Sequence, residues 1–194
     1  MCQKKLIAIT GGIGSGKSVV SSVLRNMGHS VYDCDYEAKR LMNTSPIIKQ
    51  ELITQFGDNV YYIDGTINKA LLSSIIFNNR DALSRVNSIV HPVVKDDLQQ
   101  WHNSHPHQFN FVETAILKEA GMISMVNVVW HVTAPIELRI NRVMKRNNIS
   151  REKVLERIYS QSTKLEDLST PVLEIVNDEV TPILPQIISL LNAL

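Results

Sequence analysis

The sequence of 194 residues is poor in cysteine and carries almost no net charge. Its two cysteines, Cys2 and Cys34, lack the spacing of metal ligands, so we expect neither a disulfide framework nor a zinc site, and a reducing compartment fits best. A formal net charge of +1 provides no general attraction to nucleic acid or to an anionic membrane. We therefore expect neither partner, and any binding of anions must be local.

Long apolar runs are also missing. No stretch is long enough to span a bilayer, and the apolar run near the first lysines is shorter than the core of a signal peptide. These absences predict a cytoplasmic protein. A content of 44% hydrophobic and 20% charged residues is typical of a globular chain, and the length suits a single α/β unit that carries an inserted lobe.

Glycine is scarce, with 8 residues in the chain, but four of them lie in one short stretch, "ITGGIGSGKS". This stretch satisfies the pattern G-x-x-x-x-G-K-[ST] and stands between a predicted strand and a predicted helix. Such glycines let backbone N–H groups surround phosphate oxygens. We expect Lys17 to reach the β- and γ-phosphates and Ser18 to bind Mg²⁺. The nucleotide-binding residues predicted here are Gly11, Gly12, Ile13, Gly14, Ser15, Gly16, Lys17 and Ser18.

Apolar runs separated by helical patterns predict a parallel sheet covered on both faces. The predicted strands are residues 5–10, 29–33, 109–113, 126–133 and 172–176. Residues 36–105 are almost wholly helical in pattern. Proline and polar residues mark the starts of helices: Pro46, Asn68, Pro92, Pro135 and Ser150. This predicts a core of about 1–35 and 106–194, a helical substrate lobe of about 36–105 and a lid of about 139–165.

Other nucleotide-binding classes fit less well. The third glycine of the dinucleotide motif G-x-G-x-x-G is absent, which disfavours NAD. No glycine follows an aspartate by three residues, as a GTPase switch requires, and the "TKLED" segment at residues 163–167 places its aspartate one position too late for guanine recognition. A small kinase is the simplest interpretation.

Two aspartates, Asp33 and Asp35, follow the second predicted strand, whose end should lie near the phosphate site of such a fold. One carboxylate there can accept the proton of an acceptor hydroxyl, and the other can order Mg²⁺ through water. Alternatively, Asp35 serves as the N-cap of a helix that begins near Tyr36. The spacing alone leaves both interpretations open.

Taken together, these segments resemble the dephospho-CoA kinase family. The matching pieces are "ITGGIGSGKS", "DCD", Phe56-Gly57, "DGTINKALLSSIIF", His91-Pro92 and "RVMKRNNISREKVLERIYSQ". The resemblance implies a P-loop kinase fold with a parallel five-stranded sheet, a helical acceptor-binding insertion and a small lid. It also implies transfer of the γ-phosphoryl group of ATP, with Mg²⁺, to the ribose 3′-hydroxyl of dephospho-CoA.

Residue roles follow from the same resemblance. It implies that Asp35 is the general base with Asp33 beside it, and that His91 and Pro92 contact the acceptor. Arg142 and Arg146 match lid positions that screen the transferred phosphate, and Asn177 matches a position near the adenine.

The sequence departs from the family pattern at three places. Glu179 stands where the family usually has glycine, Lys69 stands where many relatives have arginine, and "ETAILKEAG" replaces a proline-leucine-leucine stretch. Two alternatives remain open at this stage: another small-metabolite or nucleotide kinase, and a nucleotide-binding regulatory switch.

Overall fold

The computed structural model describes residues 4–77, 79–161 and 169–194. Cys2, the "TKLED" segment and the end of the predicted lid (162–165) lie outside the described residues. The chain divides into two compact units, which we call the sheet unit (Met1–Tyr32 with His105–Leu194) and the helical unit (Asp33–Ser104).

A parallel sheet of five strands forms the framework of the sheet unit, in the order β2-β3-β1-β4-β5. The strands are β1 (Lys5–Thr10), β2 (Ser30–Asp33), β3 (Phe109–Glu113), β4 (Val128–Thr133) and β5 (Val172–Val176). The predicted fold class is confirmed. The fourth strand begins two residues later than predicted because the side chain of Asn127 accepts a hydrogen bond from Leu6 N at 2.8 Å.

The central strand β1 is buried on both faces, as the continuous apolar run of a parallel strand predicts. Leu6, Ile7, Ala8 and Ile9 are all at most 1% exposed. One face packs on a cluster whose centre is the aromatic pair Phe111 and Trp130, with ring centroids 5.2 Å apart; its other buried members are Ile7, Ile9, Val20, Leu24, Val132, Ile175 and Ile187. This core fixes the carboxyl ends of β1 and β4 side by side.

The described part of the sheet unit contains four α-helices: α1 (Lys17–Asn26), α6 (Ile136–Asn147), α7 (Arg151–Ser160) and α8 (Ile183–Asn192). Pro135 and Ser150 precede α6 and α7, as predicted, although the Ser150 hydroxyl does not cap the backbone of α7. A separate buried cluster of Ile140, Val143 and Val154 packs α6 against α7. The predicted lid is therefore a helix pair with its own small core.

The helical unit contains α2 (Cys34–Thr44), α3 (Pro46–Phe56), α4 (Lys69–Ile76) and α5 (Arg80–Ser104). Pro46 opens α3, and the Asn68 side chain caps α4 by accepting from Leu71 N at 3.1 Å, both as predicted. Arg40 on α2 forms an ion pair with Asp97 on α5, in which Nη2 lies 2.9 Å from each carboxylate oxygen. Caps and side-chain pairs of this kind connect the helices around the buried apolar residues of the unit.

The prediction that Pro92 begins a helix is wrong, because Pro92 lies inside α5. Proline has no N–H to donate and usually breaks a helix. Here a buried stripe with members four residues apart continues past Pro92 on both sides, formed by Ala82, Val86, Val90, Val94 and Leu98. Burial of that stripe offsets the lost hydrogen bond, so the helix continues.

Among the described residues, no helix combines the length and the apolar character that a membrane crossing requires.

Candidate active site

The glycine-rich loop (residues 11–16) joins the carboxyl end of β1 to the first residue of α1, Lys17. In a parallel sheet this edge is where ligands bind, and the amino end of α1 adds the partial positive charge of its free N–H groups. The predicted strand-loop-helix arrangement is therefore present. We call this segment the phosphate loop.

Side chains from distant parts of the sequence bind three consecutive carbonyl groups of the phosphate loop. The donors lie 126 to 162 residues away along the chain, on α6 and at the end of β5. The pairs are Arg139 Nε to Ile13 O at 3.0 Å, Arg142 Nη1 to Gly14 O at 3.4 Å and Asn177 Nδ2 to Ser15 O at 2.8 Å. These bonds hold the loop in shape, since each fixes one of its peptide groups.

The loop glycines permit this close packing as well as the approach of a phosphate. A Cβ atom on Gly11 would lie 2.3 Å from the backbone oxygen of Val132, and one on Gly16 would lie 1.9 Å from Asn177 Nδ2. Gly16 also has φ of +98°, which favours glycine. Glycine is thus required at positions 11 and 16 by the close contacts with β4 and with Asn177.

Lys17 and Ser18 follow the loop in the first turn of α1. Lys17 Nζ donates to Gly11 O at 2.8 Å and approaches Gly12 O at 3.4 Å, so the ammonium group lies over the start of the loop. The Ser18 residue is exposed. Both side chains are thus at the loop end where the motif predicts them.

Arg142 is held by three acceptor atoms in addition to Gly14 O. Its Nη2 donates to Asn177 O at 3.1 Å and to Asn177 Oδ1 at 3.4 Å, and its Nε and Nη2 donate to one oxygen of Glu179 at 3.2 and 3.0 Å. Glu179 has a left-handed backbone, with φ of 69°. That conformation explains why glycine suits this position, and the ion pair with Arg142 is what the glutamate adds.

His131 lies on β4 beside the end of β1, and no pattern in the sequence indicates a role for it. Burial, reinforced by the positive charges of Arg139 and Lys17, lowers the pKa of the imidazole, while Glu174 opposes the shift. His131 and Glu174 are register partners on β4 and β5. The pKa of His131 therefore depends on the charged groups near the phosphate loop.

The contact of Gln161 with the phosphate loop was also not predicted from the sequence. Its Oε1 accepts a hydrogen bond from Ile13 N at 2.7 Å, across 148 residues of sequence. The Ile13 side chain packs against the cluster formed by Ile140, Val143 and Val154. The α6-α7 pair is thus attached to the phosphate loop by one hydrogen bond and one apolar contact around the same residue.

Comparison with known proteins now identifies the family. The family model for dephospho-CoA kinase matches residues 5–182, which includes the phosphate loop, Arg142 and Asn177. The chain belongs to the dephospho-CoA kinase family.

Relatives support this membership. A dephospho-CoA kinase from Bacteroides fragilis is 42% identical over 187 residues, covering 95% of this chain and 90% of that protein. A crystal structure of a Thermus thermophilus protein superimposes with a TM-score of 0.79 at 30% identity, covering 98% of this chain and 96% of the other. Dephospho-CoA kinase from Campylobacter jejuni shares the fold, with a TM-score of 0.69 at 22% identity over 98% of this chain and 96% of that chain.

The D-x-D segment of this dephospho-CoA kinase family member lies at the start of α2. Asp33, and not Asp35, is the N-cap: its Oδ1 accepts from Asp35 N and from Tyr36 N, both at 3.0 Å. The alternative that Asp35 caps the helix is therefore wrong, because α2 begins at Cys34, two residues earlier than supposed. Asp35 stands exposed in the first turn of α2.

His91 and Pro92 lie within α5 in the helical unit. Pro92 lines a cleft of about 510 Å³ between α3 and α5, together with Ile47, Glu51, Gln55, Arg85, Ser88, Ile89 and Val93. One carboxylate, one guanidinium and several apolar side chains thus share this cleft.

The structure brings some of the predicted site residues together in the sheet unit, while Asp33, Asp35, His91 and Pro92 lie in the helical unit. The residues of the phosphate loop, Arg142 and Asn177 form one connected network within the sheet unit. Arg146, by contrast, is exposed and bonds Asn147 through its Nε at 3.1 Å. Arg139, which was not a predicted site residue, makes a direct bond to the loop.

Proposed function

We propose that this protein transfers the γ-phosphoryl group of ATP to the ribose 3′-hydroxyl of dephospho-CoA, which gives coenzyme A and ADP, the final step of coenzyme A biosynthesis. The observation that carries the proposal is a family match that includes both the braced phosphate loop and the D-x-D segment. Dephospho-CoA kinases act on ATP and dephospho-CoA, so the substrate assignment follows from the family.

The phosphate loop and Lys17 bind the donor in this proposal. Loop N–H groups and the amino end of α1 neutralise phosphate charge, and Lys17 moves its ammonium from the Gly11 and Gly12 carbonyls to the β- and γ-phosphates. Three braced carbonyls mean that the loop needs little reorganisation when the nucleotide arrives. Asn177 acts by holding the loop, and adenine binding at this residue is an additional proposal.

Asp35 is the proposed general base. It accepts the proton of the 3′-hydroxyl as the oxygen attacks the γ-phosphorus and the bond to the β–γ bridging oxygen breaks, with ADP as the leaving group. Its exposed place in the first turn of α2 leaves the carboxylate accessible to an acceptor. Because Asp33 uses its Oδ1 to cap the same helix, it fixes the backbone that carries Asp35.

Arg142 and Arg146 are proposed to stabilise charge on the transferred group. Arg142 can do so only after it exchanges Glu179 for phosphate, because Glu179 occupies its Nε and Nη2. Arg146 needs a smaller change, since its partner Asn147 is adjacent and exposed. The α6-α7 pair then acts as a lid that excludes water from the acceptor site.

The donor groups fit Mg²⁺. Mg²⁺ prefers oxygen ligands and usually takes only one or two from the protein, the rest coming from water and substrate phosphates. The Ser18 hydroxyl is exposed, and Oδ2 of Asp33 lies outside the helix cap, where it can hold the ion through water. Within the described ranges, no cluster of three or more His, Cys, Asp or Glu could hold a metal ion. When bound with ATP, the ion neutralises charge on the phosphates.

His91 and Pro92 are proposed acceptor contacts. The cleft beside Pro92 offers apolar side chains for a hydrocarbon segment and Arg85 for a phosphate group. Such a mixture suits a ligand with both apolar and charged parts.

Acceptor choice tests the proposed function. Purified protein is incubated with ATP and Mg²⁺ together with dephospho-CoA, pantetheine, adenosine or AMP, and the products are identified by mass spectrometry. We expect ATP consumption to require dephospho-CoA and to stop when EDTA removes Mg²⁺. Phosphate gain by a different acceptor would support another small-molecule kinase, and ATP consumption without any acceptor would support a regulatory switch.

A further inference from the structure

Arg139 lies closer to the phosphate loop than either predicted lid arginine. Its Nε donates to Ile13 O at 3.0 Å, and its Nη2 would stand 2.2 Å from a Cβ atom on Gly12. The backbone of Arg139 is equally close, since its carbonyl oxygen would lie 2.6 Å from a Cβ on Gly14. The glycines at these two positions therefore make room for Arg139.

The hydrogen bonds of the three arginines differ. All three guanidinium nitrogens of Arg142 donate to protein acceptors, and the Arg146 side chain is exposed to solvent. Arg139 bonds through Nε alone, and within the part of the chain that the structure describes its Nη1 and Nη2 meet no acceptor. These two amino groups are the donors that an incoming ligand can use.

The Arg139 guanidinium is also partly removed from water. Burial lowers its pKa, and no carboxylate among residues 4–77, 79–161 and 169–194 acts on it to compensate. Removing a charge from water without a partner is costly, and the cost is recovered when an anion binds. The environment of Arg139 thus favours an anionic ligand.

Lys17 supplies a second positive charge at the same place. Its ammonium lies on the Gly11 and Gly12 carbonyls, and Gly12 is the residue against which Arg139 packs. Both charges lower the pKa of His131 on β4, and both side chains lie at Gly12. Two converging cations repel each other unless an anion lies between them.

We propose that Arg139 binds the γ-phosphate of the nucleotide from the side opposite Lys17. Lys17 reaches the β- and γ-phosphates in this motif, so a partner cation beside Gly12 meets the terminal phosphate. The inference rests on the proposed function only in taking ATP as the donor. It assigns to Arg139 a contact that makes the site prefer a triphosphate to a diphosphate.

The test compares ATP and ADP binding to Arg139→Gln by isothermal titration calorimetry, with Mg²⁺ and without acceptor. A hydrogen bond to a charged group is worth roughly 1.5–3 kcal/mol, so ATP affinity should fall about 10- to 100-fold. ADP affinity should change less than about threefold because the β-phosphate keeps its loop contacts. A merely structural role would weaken both nucleotides equally, and that outcome would overturn the proposal.

Arg151→Gln is the matched control. It removes the same charge from α7, where Arg151 pairs with exposed Glu137 at 2.7 and 2.8 Å. ATP affinity should be unchanged in this variant. An equal loss there would mean that the overall charge of the lid, and not the contact at Gly12, sets the preference, which contradicts the proposal.

Gly12→Ala provides a second route to the same contact, because the added methyl group displaces the guanidinium. It should reduce the preference for ATP over ADP, and in combination with Arg139→Gln the two losses should not add. Additive losses would contradict the proposal. If Arg139→Gln fails to fold, Arg139→Lys and Gly12→Ala decide the outcome by the same comparison. Since no acceptor is present, failure of the dephospho-CoA reaction does not affect this test.

Discussion

The phosphate loop and the helical unit are built on different principles. Donors more than a hundred residues away bind the loop carbonyls of Ile13 and Ser15, and the glycines are crowded by those donors. The helical unit is held by a buried apolar stripe on α5 together with caps and ion pairs that any helical protein can use, such as Asn68 on α4 and Arg40 with Asp97. Every described contact of the loop is thus specific to this fold, whereas the proposed catalytic group of the helical unit, Asp35, is exposed and stands apart from the contacts that hold that unit together.

If that contrast is correct, a single exchange in the helical unit can abolish chemistry without disturbing the fold. Asp35→Asn should lower kcat by about 10²- to 10⁴-fold, the usual contribution of a general base. ATP affinity and the melting temperature should remain as in the parent protein, because the carboxylate is exposed and Asp33 provides the cap. Steady-state kinetics and calorimetry measure these quantities.

Asp81→Asn is the control for this change, since Asp81 is also exposed in the first turn of a helix of the same unit. Its kcat should be unchanged. Normal turnover by Asp35→Asn would show that the assigned base is wrong.

Glycine substitutions compare the two regions directly. Gly11→Ala places a methyl group 2.3 Å from Val132 O and should destabilise the fold by about 1–3 kcal/mol, with loss of ATP binding. Gly57→Ala, after α3, meets no described atom within 4 Å but has φ of +87°, so about 1 kcal/mol is expected with ATP binding intact. Urea unfolding and nucleotide titration report both effects. If Gly11→Ala and Gly57→Ala reduced ATP binding equally, the proposed difference between the phosphate loop and the helical unit would be wrong.

The ion pair between Glu179 and Arg142 places a negative charge near the phosphate loop, and its effect on ATP binding can be measured. Glu179→Gln removes a carboxylate from Arg142 and keeps the side-chain size. The exposed fraction of the Glu179 side chain is 60%, so we expect a modest change, a decrease in the KM for ATP of about two- to fivefold. Glu137→Gln, which alters an exposed carboxylate of α6 bonded to Arg151, should leave this KM unchanged. An increase in KM would mean that Glu179 positions Arg142 for binding.

The smallest effect concerns pH. Burial lowers the pKa of His131 and of His29 in the folded protein below the ordinary value of about 6.5. As the pH falls through this region, the unfolded chain therefore binds more protons than the folded chain. The free energy of unfolding is thus highest above about pH 6.5 and decreases below it. Urea unfolding between pH 5 and 8 should show this loss, and His131→Gln should reduce it. A free energy of unfolding that rises on acidification would contradict the assignment.

Sequence patterns predicted the phosphate loop and all five strands because each signal is local: a glycine spacing, or a continuous apolar run. Pro92 was placed wrongly because a local rule about proline met a buried stripe whose members lie on both sides of it. The cap of α2 was assigned to Asp35 as one alternative because a shift of two residues is within the uncertainty of helix boundaries.

The roles of Gln161, His131 and Arg139 at the loop could not be predicted from a single sequence. Each depends on a contact between segments more than a hundred residues apart, and no local pattern encodes the partner. Glu179 was visible only as a departure from the family, and its left-handed backbone supplies the reason for glycine at that position.

The position of the new phosphate tests the central claim most directly. Two acceptors are compared, 2′-deoxy-dephospho-CoA and 3′-deoxy-dephospho-CoA, each with ATP and Mg²⁺, and the products are analysed by tandem mass spectrometry. The account predicts that the 2′-deoxy compound gains one phosphate and that the 3′-deoxy compound gains none. Phosphorylation of the 3′-deoxy compound would contradict the account, because the acceptor would then be a hydroxyl other than the ribose 3′-hydroxyl.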